Sequence, residues 1–335
     1  SSNTLEGTVS PTNVTFTSGN WNSPQTITVT GVDDLVDDGD VLYSIITSAT
    51  TSGDALFNNL TVSDVSVTNL NNDIAGVIVS PTSGLTTTEA GGTATFTIRL
   101  ATQPTQNVSI TLSSSNTAEG NVSPTSVTFT SANWSVAQTI TITGVNDDID
   151  DGNISYTIIT SNATSTDTKY NNMNVADVSV VNTNDDTAGI TVTPTSGLTT
   201  TEAGGTATFT VRLNSRPTAN VVIGLSSSNI AEGTVSPTTL TFTNANWNVL
   251  QTVTVTGIDD FVQDGNQVYT IVTAPATSTD TKYNGLNAAD VSVTNTDNDV
   301  AGITVNPTSG LTTTESGGTE IGRASCREEC RSRWS

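Results

Sequence analysis

Apolar side chains alternate with threonine through most of the chain. From Thr93 to Leu100, Ala94, Phe96, Ile98 and Leu100 alternate with Thr93, Thr95, Thr97 and Arg99. The same period of two runs through Val108–Leu112, Val127–Phe129, Thr139–Thr143, Ile154–Ile158 and Val178–Val180, after an opening strand at Val77–Val79. A period of two marks a strand with one buried face, and a β-branched residue on the wet face still favours extension. Turn signals such as Pro81-Thr82-Ser83-Gly84 and Asp151-Gly152 separate the segments. Seven such strands in about a hundred residues predict an all-β fold, an antiparallel two-layer sandwich of immunoglobulin type.

The pattern recurs. Trp21, Trp134 and Trp247 stand 113 residues apart, as do Ala75-Gly76, Ala188-Gly189 and Ala301-Gly302. The string LTTTEAGGTATF from Leu85 to Phe96 returns from Leu198 to Phe209 and begins again at Leu311. Complete repeats are therefore expected at 75–187 and 188–300, with 1–74 the later part of a preceding repeat and 301–319 the start of another. A period of this size gives each repeat its own core.

The acids do not follow the strands evenly. If consecutive strands run antiparallel, the first, third and fifth connections and the end of the seventh strand share one pole. Glu89 falls in the first connection and Glu119 in the third. Asp147, Asp148, Asp150 and Asp151 fall in the fifth, and Asp185 and Asp186 follow the seventh strand. The second connection and the fourth, which share the other pole, hold no acid, while the sixth carries Asp167 beside Lys169, with Asp177 at the edge of the seventh strand. The next repeat places Glu202, Glu232, Asp259, Asp260, Asp264, Asp297 and Asp299 in the same way. Convergent like charges oppose folding unless a cation compensates them. Ca²⁺ accepts six to eight oxygens from loops of imperfect geometry, whereas Mg²⁺ demands a stricter octahedron, so calcium is the expected ion. Any single Asp here also reads as an ordinary solvated turn. The EF-hand pattern fails: counted from Asn146, position six is Asp151 and position twelve is Thr157.

Three stretches carry a family resemblance: TEAGGTATFT from Thr88 to Thr97, GVDDLVDDGD from Gly31 to Asp40, and DVSVTNTDND from Asp290 to Asp299. They resemble the Calx-β domain of sodium/calcium exchangers and many bacterial surface proteins. The resemblance spans residues 1–319. It implies tandem calcium-binding sandwiches of Calx-β type, with ligands at Glu89, Glu119, Asn146, Asp147, Asp150, Asp151, Asp185 and Asp186. It implies Glu202, Glu232, Asp259, Asp260, Asp264, Asp297 and Asp299 in the next repeat, and Asp33, Asp34, Asp37, Asp38 and Asp73 in the first. The chain departs from that pattern at Gln263, which stands where Asp150 stood, and at Asn146, which replaces the Asp of Asp33 and Asp259. The closing triplets read Asn71-Asn72-Asp73, Asn184-Asp185-Asp186 and Asp297-Asn298-Asp299.

Composition narrows the chemistry. The 335 residues include no His, which removes Ser/His and Cys/His nucleophile pairs and His-ligated metals. A net charge of −23 repels phosphate, so no nucleic-acid partner is expected. No run approaches a membrane-spanning length. The segment 320–335 differs from everything before it: it holds four of the nine basic residues and both cysteines, Cys326 and Cys330. It resembles in-frame translation of a sequencing adapter and is read as a non-native tail; the competing reading is a Cys326/Cys330 hairpin.

Trp134 and Trp247 read as core caps near the turn after the fourth strand, with sugar stacking as the alternative. Tyr156 and Tyr269 read as core residues with wet hydroxyls. Lys169 and Lys282 in an exposed connection argue against isopeptide crosslinks. The expected function is a calcium-binding tandem-repeat module of a large extracellular or cell-surface protein, a stiffened stalk or adhesin segment. Its partners would be calcium ions, neighbouring repeats and a surface protein or glycan. The alternatives are a carbohydrate- or ligand-binding sandwich and a passive spacer without ions. No insertion opens a cleft in the 113-residue register, so no enzyme is expected.

Overall fold

The structure, a computed structural model, describes residues 1–327 and is all-β, with no helix among the described residues. It divides into two compact units. One comprises Ser1–Asn146 with Asn153–Thr183, the other Asp147–Gly152 with Asn184 onward.

The first unit opens with two short ladders. β1 (Gly7–Ser10) pairs antiparallel with β2 (Thr28–Gly31), and β3 (Val41–Ile45) with β4 (Val65–Asn69). A full sandwich follows from β5 (Val77–Ser80), β6 (Leu85–Thr88), β7 (Thr93–Leu100), β8 (Val108–Ser114), β9 (Gly120–Ser123), β10 (Ser126–Phe129), β11 (Gln138–Gly144), β12 (Ile154–Thr160) and β13 (Val178–Thr183). Its two sheets have the orders β5-β7-β11-β9 and β10-β8-β12-β13-β6. Phe96, Ile98, Ile110, Phe129, Ile140, Ile142, Ile158 and Val180 fill the space between them, each at most 1% exposed. Burying one such side chain contributes about 1.5–3 kcal/mol.

All seven expected strands are present, and two short ones are added. At Gly84, φ is +76°, a conformation glycine adopts freely, and the turn there carries the chain from one sheet to the other. The opening strand therefore becomes β5 in one sheet and β6 in the other, where β6 runs parallel to β13 in register Leu85 to Val180. The second addition is β9, which extends β11 with Gly120 opposite Gly144. Neither segment alternates clearly: LTTT and GNVS each offer one apolar side chain.

Tyr156 is 4% exposed, and its hydroxyl lies 3.2 Å from Thr87 Oγ1, not in water. This corrects the expectation of a wet hydroxyl. The ring also presses on β9, where a Cβ at Gly120 would lie 2.1 Å from the hydroxyl oxygen. Trp134 packs against the core as expected, whereas Trp21 is 71% exposed. In residues 1–74, β1 to β4 lie at the registers of β9, β11, β12 and β13, while residues 13–16, at the register of β10, form no strand.

The second unit repeats the topology 113 residues later. Its strands are β14 (Ile190–Thr193), β15 (Leu198–Thr201), β16 (Thr206–Leu213), β17 (Val221–Ser227), β18 (Gly233–Ser236), β19 (Thr239–Phe242), β20 (Gln251–Gly257), β21 (Gln267–Thr273) and β22 (Val291–Thr296). They form sheets β14-β16-β20-β18 and β15-β22-β21-β17-β19. Tyr269 bonds Thr200 as Tyr156 bonds Thr87, and Trp247 packs on this core. Finally β23 (Gly302–Asn306) pairs antiparallel with β24 (Arg323–Arg327), so the tail read as non-native begins in a two-stranded ladder. Its remaining residues, Cys330 among them, lie outside the described residues. No helix among the described residues is long and apolar enough to cross a membrane.

Candidate metal centre

The acids lie in connections at strand ends, so their carboxylates meet at loop positions. In the first unit, Glu6, Asp34 and Asp38 each place a carboxylate oxygen within 4.8 Å of the other two. Glu6 precedes β1 and is buried; the two aspartates follow β2. The loop is shaped by its own bonds: Asp34 Oδ1 accepts from Val36 N at 2.8 Å, and Asp38 N donates to Val36 O at 3.0 Å. A cavity of about 260 Å³ here is also lined by Asp33 and Asp73. Asn72 Nδ2 donates to Asp33 at 3.2 Å.

The second unit holds two such groups. Glu232, Asp260 and Asp264 repeat the arrangement of Glu6, Asp34 and Asp38. Val262 N again donates to the first aspartate, at 2.7 Å. Glu202, Asp259 and Asp299 form the other group, built from the connection after β15, the connection after β20 and the segment after β22. Asn298 N donates to Glu202 Oε2 at 2.8 Å. Asp299 Oδ2 is buried with no hydrogen-bond partner. Asp297 lies beside this group, accepting from Gly265 N at 2.8 Å and Asp299 N at 2.7 Å.

By register, Glu119, Asp147 and Asp151 are the counterparts of Glu232, Asp260 and Asp264. Glu119 is 6% exposed and accepts from Asn182 Nδ2 at 3.3 Å. Asp147 Oδ1 accepts from Ile149 N at 2.6 Å, as its counterparts do. Glu89 is 3% exposed at the turn between β6 and β7, its amide donating to Thr183 O. Asn146 is the counterpart of Asp33 and Asp259 and directly precedes the acidic loop. The Asn184 side chain brackets the Asp186 backbone, its Nδ2 donating to Asp186 O at 3.0 Å and its Oδ1 accepting from Asp186 N at 3.2 Å, and Asp185 lies between them in sequence. Glu6 escaped the sequence reading, although it stands 113 residues before Glu119 and the register alone points to it.

Two expected ligands are placed elsewhere. Asp37 pairs with Lys169, and its Oδ2 accepts from Ala75 N at 3.0 Å. Nearby, Gln103 N donates to Leu35 O at 2.7 Å. Asp150 likewise accepts from Ala188 N at 2.9 Å and pairs with Lys282, while Arg216 N donates to Asp148 O. Each aspartate thus ties an acidic loop to the start of the following repeat. At the third position Gln263 Oε1 keeps the backbone bond, to Ala301 N at 2.7 Å, but has no charge to pair.

The carboxylates sense one another. Burial, then Glu6 and Asp34, push Asp38 above its ordinary value; burial and Asp147 push Asp151 up. Burial and the neighbouring acids also raise Asp186, and they raise Glu202 against the Asn298 hydrogen bond. Asp37 is held low by Lys169, then by the Ala75 amide; Asp150 by the Ala188 amide, then by Lys282. A raised carboxyl binds its proton more tightly when folded, so its cost to the folded state is felt above that value and relieved below it. In chelator, the melting temperature is therefore expected to rise as pH falls from neutrality towards the ordinary carboxylate range of about 4. Asp37 and Asp150 act oppositely: their contribution is present above the unfolded value and is lost only in stronger acid. In millimolar Ca²⁺ the first trend is expected to reverse, because bound carboxylates must be deprotonated. Circular dichroism melts at constant ionic strength check this; stability falling steadily from pH 7 in chelator would count against the mutual repulsion.

The donor set fits a hard divalent cation. Every ligand atom offered is oxygen, one member of each group is a buried glutamate, and Asp299 Oδ2 lacks any partner. Oxygens on a common Ca²⁺ at about 2.4 Å lie no more than about 4.8 Å apart, and the oxygens of each group lie within that limit.

No model of a known protein family matches the chain, and no curated protein matches it by sequence. Solved structures similar to it include CBD12 from CALX1.2, at 13% identity over 65% of this chain and 98% of that one, with a TM-score of 0.31. The calcium binding domain CBD12 of CALX1.1 has 14% identity over 60% of this chain and 80% of its own, at 0.29. Domains 4 and 5 of the S-layer protein SbsC have 17% identity over 56% of this chain and 77% of theirs, at 0.27.

Proposed function

We propose that this chain is a calcium-binding tandem-repeat module of an extracellular or cell-surface protein, serving as a stiffened stalk or adhesin segment and not as an enzyme. The observation that carries the reading is the recurrence, at the 113-residue register, of three carboxylates within 4.8 Å around a buried glutamate. Three negative charges at that spacing repel by a few kcal/mol per pair near a protein surface, and only five basic residues precede residue 320 to offset them. When bound, the ion supplies two positive charges and a coordination shell that draws separate loops together. The residues of this chain supply its oxygens: Glu6, Asp34 and Asp38 in one group, Glu232, Asp260 and Asp264 in another, Glu202, Asp259 and Asp299 in a third. The loop of Asp34 and Asp38 also carries Asp37, and the loop of Asp260 and Asp264 carries Gln263, each bonded to the start of the next repeat. Ordering the loop therefore stiffens the connection.

Calorimetric titration of the chain with Ca²⁺ tests this. Saturable binding is expected, with the Glu232→Gln, Asp264→Asn double variant losing one site. Absence of heat at micromolar to millimolar Ca²⁺, with no stabilisation, would leave the passive spacer. Glycan binding abolished by Trp134→Ala and Trp247→Ala would favour the carbohydrate module instead.

A further inference from the structure

We propose that Asn295, with Asn182 and Asn69 at the same register, is a positioning residue of the glutamate-centred cluster. It sets the distance between the buried glutamate and the acidic loop. The inference rests on the calcium reading and adds a residue that touches no ion.

Asn295 lies on β22 and is 1% exposed. Its Nδ2 donates to Glu232 Oε2 at 3.3 Å and to Ile258 O at 3.0 Å. Its Oδ1 accepts from Thr200 Oγ1 at 3.0 Å, and that hydroxyl lies 3.3 Å from the Tyr269 hydroxyl. Both amide hydrogens and one acceptor position are thus committed in the interior. The two residues it joins are the ones that matter to the cluster: Glu232 offers a carboxylate, and Ile258 is the last residue before the loop carrying Asp260 and Asp264. Their backbones are also bonded, Ile258 N donating to Glu232 O at 3.0 Å. The amide adds a second tie through the side chain, which fixes where the carboxylate points.

It has little room to swing, because a Cβ at Gly257 would lie 2.5 Å from its Oδ1. The arrangement recurs. Asn182 donates to Glu119 and to Val145 O at 3.1 Å, with Thr87 and Tyr156 behind it. Asn69 donates to Glu6 at 3.2 Å and to Val32 O at 2.9 Å. A neutral amide suits this position because it grips one carboxylate oxygen, leaves the other oxygen for a cation, and adds no further negative charge.

Removing the amide leaves the Ile258 carbonyl and the Thr200 hydroxyl without that buried partner, so stability falls whatever the role, and the test needs a readout that a structural role alone would not move. The full chain with Asn295→Leu is therefore titrated with Ca²⁺ and with Tb³⁺ as a luminescent probe. One tight site is expected to weaken by about 10- to 100-fold, the scale for outer-shell partners of metal ligands. Its Tb³⁺ lifetime in H₂O relative to D₂O should shorten as water replaces the misdirected carboxylate. The melting temperature in chelator should also fall, because those buried partners go unpaired, so the lifetime ratio and the affinity of the one site carry the test. Thr200→Val keeps the shape and releases the Asn295 carbonyl; it should weaken the same site to a smaller degree. Wild-type affinity and lifetime in either variant would overturn the inference while leaving the calcium reading intact. A wild-type chain that binds neither ion would take both down.

Discussion

Chelating calcium from the loaded chain is expected to lower the melting temperature of the second unit by about 15 °C. An ion that binds only the folded state at 100 times its dissociation constant stabilises by about 2.7 kcal/mol, so the two clusters of residues 188–300 together contribute about 5 kcal/mol. In a domain of this size 1 kcal/mol moves the midpoint by roughly 3 °C or more. The shift should depend on Ca²⁺ concentration and should be much smaller with equimolar Mg²⁺, which does not readily exchange its waters for several loop carboxylates. Differential scanning calorimetry with and without chelator measures it. A midpoint unmoved within about 2 °C would leave the acids as solvated turns.

The fold was legible because threonine marks the wet face so consistently. Phe96, Ile98, Ile140 and Ile142 are all buried, as their alternation with Thr97 and Thr141 requires. What the pattern could not show were contacts decided in three dimensions. Leu85–Thr88 carries three consecutive threonines, so its pairing beside β13 has no period to announce it. The Tyr156 hydroxyl finds Thr87 only because β6 crosses to that sheet.

The acidic pole was legible from connectivity alone: strand parity sends Glu202, Glu232 and the Asp259–Asp264 loop to one end, and there they meet in two groups. The division of labour within that pole was not. Asp37 and Asp38 are adjacent in sequence, yet Asp38 joins the cluster and Asp37 turns to Lys169, because neighbouring loop residues point in different directions. Lys169 lies 132 residues away, and nothing local in either segment signals the pairing. The buried Asn295 was equally silent, since an Asn amid Val-Ser-Val-Thr reads as the edge of a strand rather than as its interior.

Gly257→Ala is expected to be the most damaging single substitution in the second unit. A Cβ at residue 257 would lie 2.3 Å from the backbone oxygen of Thr201 and 2.5 Å from Asn295 Oδ1. Neither neighbour can retreat cheaply. Thr201 ends β15, held in register with Thr296, and directly precedes Glu202. Asn295 is tied to Glu232 and Ile258. Relief must therefore come from moving β15, the buried amide or β20, and the loss should be about 3 kcal/mol, the upper part of the range for overpacked interiors. Because the displaced groups carry Glu202 on one side and Glu232 on the other, both clusters should lose Ca²⁺ affinity together. Gly224→Ala is the control: its new methyl would meet only the Ala274 Cβ, at an ordinary 3.6 Å, within a strand where glycine is itself slightly unfavourable. That variant should be neutral or marginally more stable, with both sites intact. Urea unfolding and Ca²⁺ titration of the two variants side by side separate the cases. Equal stability and equal binding would show that the contact around residue 257 is looser than the distances require.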